Sequence, residues 1–193
     1  MTDALHAALA FIQSEHGGAA VDVLAVSLSC EFAVRAQCEA PPSIRRLALV
    51  SPTGFRGKKL RYGPAGGNLG LPWLYRLLTL DIWRQGIFNN LTRPSVIRFF
   101  LNGAWGSKKI DETFWRYCVL TSKQPGAENA PFYFVSAFLF STDINQMYEN
   151  LDGPVWVSMP TRGDFTDYRG RHTLEGKTNW QFELIEGGAL PFF

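Results

Sequence analysis

The chain has 193 residues, of which 46% are hydrophobic and 19% charged, and its formal net charge at pH 7 is +2. This length and composition suit a folded domain with one inserted subdomain and exclude a disordered chain. The small net charge gives no support for a nucleic-acid partner, and the longest apolar stretch, residues 132–140, is too short for a membrane span.

The cysteines predict the redox state of the protein. Cys30 and Cys38 are predicted to share one helix, where their separation in sequence corresponds to about 12 Å, too far for a disulfide. With Cys118 they are expected to be reduced thiols, as in a cytoplasmic protein. The N-terminal segment carries acidic and histidine residues in place of the basic start of a secretory signal.

The first quarter of the chain predicts a parallel βαβ unit. Apolar residues at helical spacing predict a helix over residues 2–14, and a short apolar run predicts a buried strand over 21–26. A helix over 28–38 ends at a Pro-Pro pair, and a second buried strand follows over 45–51. The short links between these elements favour parallel strands.

Residues 56–152 differ from the rest in being rich in aromatic residues at helical spacing, which predicts a helical insertion. Its basic stretch 56–61 is expected to be a solvated loop. Two further strands are predicted over 154–159 and 179–186, with a short helix over 168–176 between them. The predicted core is therefore residues 1–55 and 153–193, interrupted by the insertion 56–152.

The first predicted strand ends on Ser27, which has small residues two positions before and after it, Ala25 and Ser29. A sharp strand-to-helix turn needs small residues at these positions, as in the nucleophile elbow G-x-S-x-G. The hydroxyl would then stand above the sheet, and the Leu28 N–H at the helix N-terminus could donate to an oxyanion. The alternative is an ordinary serine at a strand end that caps the helix.

Three stretches together resemble the α/β-hydrolase superfamily of esterases and lipases, namely VDVLAVSLSCEFAVRA with RRLALVSPTG, GPVWVSMPTRGDFTDY, and FELIEGGALPFF. The resemblance covers the C-terminal half of that fold and its cap. It implies Ser27 as nucleophile and Asp164 as the triad acid, with Asp167 as the second choice. The alternative for either aspartate is a loop residue that caps the following helix.

The chain departs from the family in two places. The family has G-H-x-P in its last loop, whereas Ala189 stands at the histidine position here. Of His6, His16 and His172, only His172 has a plausible route to the site, and the alternative for it is a solvated helix residue. No segment before residue 21 resembles the family's earlier strands or its H-G oxyanion loop.

These observations predict an α/β fold, a partial hydrolase-type parallel sheet of about four strands with a helical cap. The predicted function is a serine hydrolase of the carboxylesterase type acting on an apolar acyl or aromatic ester. A non-catalytic α/β-hydrolase-like binding protein is the alternative, because the histidine and the early strands are missing. No cofactor or metal is expected, since no HExxH, CxxC or P-loop occurs. The first strand is expected to be an exposed edge that could pair two copies of the chain.

Overall fold

A computed structural model describes residues 1–57 and 59–191. Lys58, in the predicted basic loop, and the last two residues lie outside this described part. Within it, four strands form one parallel sheet in the order β1-β2-β3-β4, as the sequence predicts. The strands are β1 Val21–Val26, β2 Ile44–Val50, β3 Val155–Pro160 and β4 Trp180–Ile185.

The helices flank β1 and occupy the long connection between β2 and β3. They are α1 Thr2–Glu15, α2 Ser29–Glu39, α3 Pro72–Leu78, α4 Arg84–Leu91, α5 Pro94–Trp105, α6 Glu112–Thr121, α7 Asn129–Val135 and α8 Ile144–Glu149. Local chemistry sets several boundaries: a proline opens α3 and α5, and Gly106 ends α5 in the left-handed region at φ 60°. The predicted helix over 168–176 is a 3₁₀ turn, Arg169–Thr173.

The hydrophobic core lies on one face of the sheet. Alternate residues of the strands, such as Leu49 and Val157, pack there against Val34 of α2 and against Ile144 and Tyr148 of α8. Helix α8 therefore shares the core of the sheet, although it lies within the 56–152 segment. This packing fixes α2, and with it the turn at the end of β1.

The opposite face of the sheet and the β1 edge are open. Leu24 is 64% exposed, and Asp22 and Arg46 beside it are also exposed. Within the described residues β1 pairs only with β2, so its other edge has no strand neighbour. Among the helices of residues 1–57 and 59–191, none has the length and apolar character needed to cross a bilayer.

Candidate active site

Ser27 sits at a strained turn between β1 and α2. Its φ is +54°, in the left-handed region that residues other than glycine seldom occupy. Its N–H donates to Val50 O at 2.8 Å, which ties the turn to the end of β2. Leu28, not Ser27, occupies the N-cap position of α2, and the Ser27 hydroxyl makes no hydrogen bond within the described residues. The helix-cap interpretation of Ser27 is therefore not supported.

The small residues around Ser27 have distinct roles. Ala25 is buried and belongs to the hydrophobic core. The Ser29 hydroxyl accepts from Val26 N–H at 2.8 Å and donates to Val26 O at 2.7 Å. Backbone groups of successive strand residues point to opposite sides, and the Ser27 N–H points to β2, so the N–H and C=O of Val26 point to the open edge. The Ser29 hydroxyl forms the hydrogen bonds that these two groups would otherwise lack. Serine thus closes the turn at a position where the family motif has glycine.

The Leu28 N–H belongs to the N-cap residue of α2, which directly follows Ser27 in the chain. No carbonyl in the described part of the chain accepts from it. A free N–H at a helix N-terminus suits the stabilisation of a developing oxyanion. Cys30, one turn further along, is fully buried, and burial raises the pKa of its thiol far above the usual value. Cys30 is therefore not an alternative nucleophile at neutral pH.

The loop expected to carry the general base lies beside this turn. The Ser51 hydroxyl, at the end of β2, donates to Ala189 O at 2.7 Å. The Ala189 N–H donates to Ala104 O of α5 at 2.9 Å. Since Val50, the residue before Ser51, holds the Ser27 N–H, the loop and the elbow meet at the ends of two paired strands. Ala189 is buried and offers no titratable group.

Asp164 lies just past β3, as predicted, but on the side of α5. Its N–H donates to Gly103 O at 3.1 Å, and its carboxylate lies so close to Gly103 that a side chain at that glycine would clash with it. Asp164 is exposed and forms no ion pair within the described residues. It is free to hold a partner, yet none of the three histidines bonds to it here.

Asp167 is committed to the structure of its own loop. Its carboxylate accepts from Arg169 Nη2 at 2.7 Å and Nε at 2.9 Å, and from Gly57 N–H at 2.9 Å. The Arg169 hydrogen bonds are the main cause of a pKa well below the ordinary value. Asp167 is therefore a structural acceptor of its own loop, and the turn that follows it, Arg169–Thr173, has no side-chain cap.

The histidines do not complete a triad. His172 is exposed on the 3₁₀ turn, with its Nδ1 at 3.0 Å from Arg169 O. His6 pairs with Glu39 at the C-terminal end of α2, at 2.8 Å, and His16 is an exposed residue after α1. In the described part of the chain no hydrogen bond joins Ser27, Asp164 and His172. The structure thus brings together Ser27, Leu28 N–H and the Ala189 loop, and leaves His172 apart.

A buried polar cluster that the sequence analysis missed lies one helical turn beyond Ser27. Glu31 is fully buried on α2 and accepts from Arg61 Nη2 and Ser141 N–H at 2.7 Å each, and from the Thr53 hydroxyl. Arg61 Nη1 also donates to Ser141 O at 2.9 Å. The sequence did contain an indication of this cluster, because Glu31 lies on the apolar face of the predicted helix, one turn before Val34. The cluster ties α2 to both ends of the helical connection.

No protein-family model and no curated protein sequence matches this chain. Solved structures do match. They include a probable hydrolytic enzyme from Pseudomonas aeruginosa (TM-score 0.66, 15% identity, 97% of this chain and 63% of that one). Cfl2 from Burkholderia cenocepacia aligns with a TM-score of 0.65 and 16% identity, over 98% of this chain and 66% of that one. An esterase from Exiguobacterium antarcticum aligns with a TM-score of 0.60 and 12% identity, over 92% and 63%.

This chain spans less than two thirds of the length of each of these three proteins. The structural agreement establishes the fold. At such low sequence identity it does not carry over the chemistry of individual residues. The four-stranded parallel sheet with its helices agrees with these alignments. The chain has an α/β-hydrolase-like fold.

Proposed function

We propose that Ser27 is the nucleophile of a serine hydrolase of the carboxylesterase type. The single observation that carries this proposal is the φ of +54° at Ser27. Such strain persists only where the surrounding structure enforces it, and it is typical of functional positions. Here the Val50 and Ser29 hydrogen bonds on either side of the turn enforce it.

The proposed chemistry is acyl transfer. The Ser27 oxygen attacks the ester carbonyl, and the Leu28 N–H stabilises the oxyanion. The Ser27 hydroxyl proton passes through solvent water to the leaving alkoxide, which departs as the alcohol when its bond to the carbonyl carbon breaks. Water then hydrolyses the acyl-serine to the acid and regenerates the Ser27 hydroxyl. Asp164 is the proposed acid, and His172 reaches Ser27 only if its loop moves. With Ala189 in the place of the base, we expect slow turnover. Oxyanion stabilisation and substrate binding alone accelerate such a reaction roughly 10³–10⁴-fold relative to its rate in water.

We further propose that helices α3–α7 act as a cap over this site. Their surface carries exposed aromatic residues, including Trp73, Phe99 and Phe100. A cap of this composition suits a substrate with an apolar acyl or aromatic group. The apolar part of the proposed substrate is inferred from this aromatic composition, and its ester group is inferred from the Ser27 turn.

The test is covalent labelling of the purified chain with a fluorophosphonate probe, followed by mass mapping, together with p-nitrophenyl butyrate hydrolysis. We expect the label on the Ser27 peptide and its loss in Ser27→Ala. Ser14→Ala, an exposed hydroxyl on α1, is the matched control and should label like the unmodified chain. Equal labelling of Ser27→Ala and the unmodified chain would remove Ser27 from the mechanism.

A non-catalytic binding protein is the second candidate, and the buried Ala189 at the base position favours it. For this candidate the strained turn would be a feature of the fold without chemistry. Its expected result is no labelling and no hydrolysis above background, with ligand binding unchanged in Ser27→Ala. The two candidates thus give opposite results in one experiment.

A further inference from the structure

The last turn of α5, residues 103–106, contacts two loops of the candidate site. One is the β3 loop, residues 161–167, which follows β3 and carries Asp164. The other is the β4 loop, residues 186–190, which follows β4. The carbonyl groups in the last turn of a helix have no partner within the helix. In α5 these carbonyls are therefore available to the two loops.

Two successive carbonyls of this turn accept one backbone N–H from each loop. The Asp164 N–H donates to Gly103 O at 3.1 Å, and the Ala189 N–H donates to Ala104 O at 2.9 Å. Successive residues of a chain are about 3.8 Å apart, and the carbonyls of a helix point the same way. The two amide nitrogens therefore lie within about 10 Å of each other. At this separation a carboxylate at 164 can reach an imidazole at 189.

Further hydrogen bonds join the same three elements. Arg162 Nε of the β3 loop donates to Trp105 O at 3.0 Å, and a cation is favoured at this end of a helix. The two loops also bond each other, since the N–H groups of Thr161 and Arg162 donate to Gly187 O at 3.1 and 3.2 Å. The β3 loop, the β4 loop and α5 thus form one hydrogen-bonded unit.

Glycines allow the three backbones to approach this closely. A Cβ at Gly106 would lie 2.4 Å from Gly163 N, and a Cβ at Gly188 would lie 2.6 Å from Trp105 Cα. The φ angles of Gly106 and Gly163 are +60° and +93°, in the region that favours glycine. The contacts are therefore made by the backbone itself, which leaves little freedom to either loop.

The carboxylate of Asp164 is placed by this turn and remains accessible. Asp164 is exposed and, with Phe99 and Phe100 of α5, lines a cavity of about 640 Å³. A Cβ at Gly103 would lie 2.3 Å from Asp164 Oδ2. That oxygen is the end of a flexible side chain, so a methyl group at 103 would displace the carboxylate and leave the backbone contacts in place.

We propose that the last turn of α5 is a positioning element of the proposed hydrolase site. Gly103 O and Ala104 O hold the two loops so that the Asp164 carboxylate is directed toward position 189. Gly103 is the positioning residue on which this depends, because any side chain there displaces the carboxylate. The proposal rests on the function proposed for Ser27 and deepens it, since a helix of the proposed cap then sets the place of the acid.

The test is an NMR titration of the imidazole introduced by Ala189→His. We expect the Asp164 carboxylate to raise the pKa of this imidazole by about one pH unit relative to Ala189→His combined with Asp164→Asn. The other charged side chains of the two loops are Arg162, Asp167 and Glu186. They are present in both chains, so the difference reports on Asp164.

Gly103→Ala separates positioning from stability. Added to Ala189→His, it should return the imidazole pKa to the value measured with Asp164→Asn, because the methyl group displaces the carboxylate. The melting temperature should stay equal or rise, since alanine stabilises a helix relative to glycine. Gly86→Ala, in α4 with open space around it, is the control and should leave the raised pKa unchanged.

Hydrogen exchange of the unmodified chain is a second measurement, which decides if Ala189→His does not fold. We expect the Asp164 and Ala189 amides to be protected. In Gly106→Ala, whose Cβ would collide with the β3 loop, they should exchange about tenfold faster, a larger change than at the Leu49 amide of β2. Gly86→Ala should leave both amides protected.

The proposal is overturned if Ala189→His folds and neither Asp164→Asn nor Gly103→Ala changes its imidazole pKa. It is also overturned if the Asp164 and Ala189 amides are unprotected in the unmodified chain, or if Gly103→Ala unfolds. Fluorophosphonate labelling reports on Ser27 alone. Absence of label together with a raised imidazole pKa would reject the hydrolase proposal and retain the positioning role of α5.

Discussion

The carboxylate of Glu31 and the guanidinium of Arg61 lie 2.7 Å apart, with the Glu31 side chain fully buried and that of Arg61 only 17% exposed. Three donors converge on this one carboxylate, from Arg61, Ser141 and Thr53. Buried ion pairs contribute to stability only when such additional hydrogen bonds compensate their loss of solvation. The pair fixes the start of the helical connection to the helix that follows Ser27.

Removal of the Arg61 charge should therefore destabilise the fold. We expect Arg61→Met to lower the free energy of unfolding by about 3–5 kcal/mol, because it leaves an uncompensated buried carboxylate. Urea titration followed by tryptophan fluorescence measures this. Arg45→Met, which removes an exposed partner of Asp22, is the control and should have little effect. Equal losses in the two variants would show that the Glu31 pair has no special role.

A histidine at position 189 should supply the missing base. The Ser51 and Ala104 hydrogen bonds fix the loop beside the end of β2, whose Val50 holds the Ser27 turn. We expect Ala189→His to raise p-nitrophenyl butyrate hydrolysis by about 10² or more if the imidazole reaches Ser27. The larger side chain at a buried position should lower stability by about 1–3 kcal/mol.

The control for this gain is Ala189→His combined with Ser27→Ala, which should return to background. His172→Ala should change nothing, because His172 is exposed and bonded to its own turn. A folded Ala189→His chain with unchanged activity would show that the site does not run triad chemistry. Loss of activity in His172→Ala would instead make His172 the base.

The open edge of β1 should drive self-association. Leu24 lies on this edge strand and is 64% exposed, and its backbone groups alternate with those that bond β2, so they face away from the sheet. We expect the chain to associate with rising concentration in light scattering. Leu24→Pro should suppress association, since proline removes an edge N–H that the monomer does not use.

Leu120→Lys, at a similarly exposed leucine on α6, tests whether any surface charge has the same effect. We expect it to associate like the parent, whereas Leu24→Lys should behave like Leu24→Pro. A parent chain that remains monomeric throughout the concentration series would contradict the prediction.

The Asp167–Arg169 pair should make stability depend on acid pH. The pKa of Asp167 is lowered by Arg169 in the folded chain, below its ordinary value of 3.8. Its contribution is therefore complete above about pH 3.8 and is lost as the pH falls through the lower folded pKa. The measurement is the urea concentration at the midpoint of unfolding, determined over a range of acid pH. We expect this midpoint to fall less steeply with decreasing pH in Asp167→Asn than in the parent chain. An identical pH dependence in both chains would contradict this.

The sequence by itself determined the elements and their order. Apolar runs of strand length and the spacing of apolar residues in the helices are local patterns, and all four predicted strands are present within one or two residues of their predicted limits. The elbow was also predictable, because Ala25 and Ser29 must be small for steric reasons that act within five residues.

The tertiary structure alone decided how the polar groups are paired. Glu31 and Ser141 are 110 residues apart in the chain, and Ser51 and Ala189 are 138 apart, so no local pattern could relate them. The same holds for Asp167, which looked available in the sequence until Gly57, 110 residues earlier, was found to bond it. Whether a carboxylate is a free acid or a structural acceptor depends on which donors folding brings within about 3 Å of it.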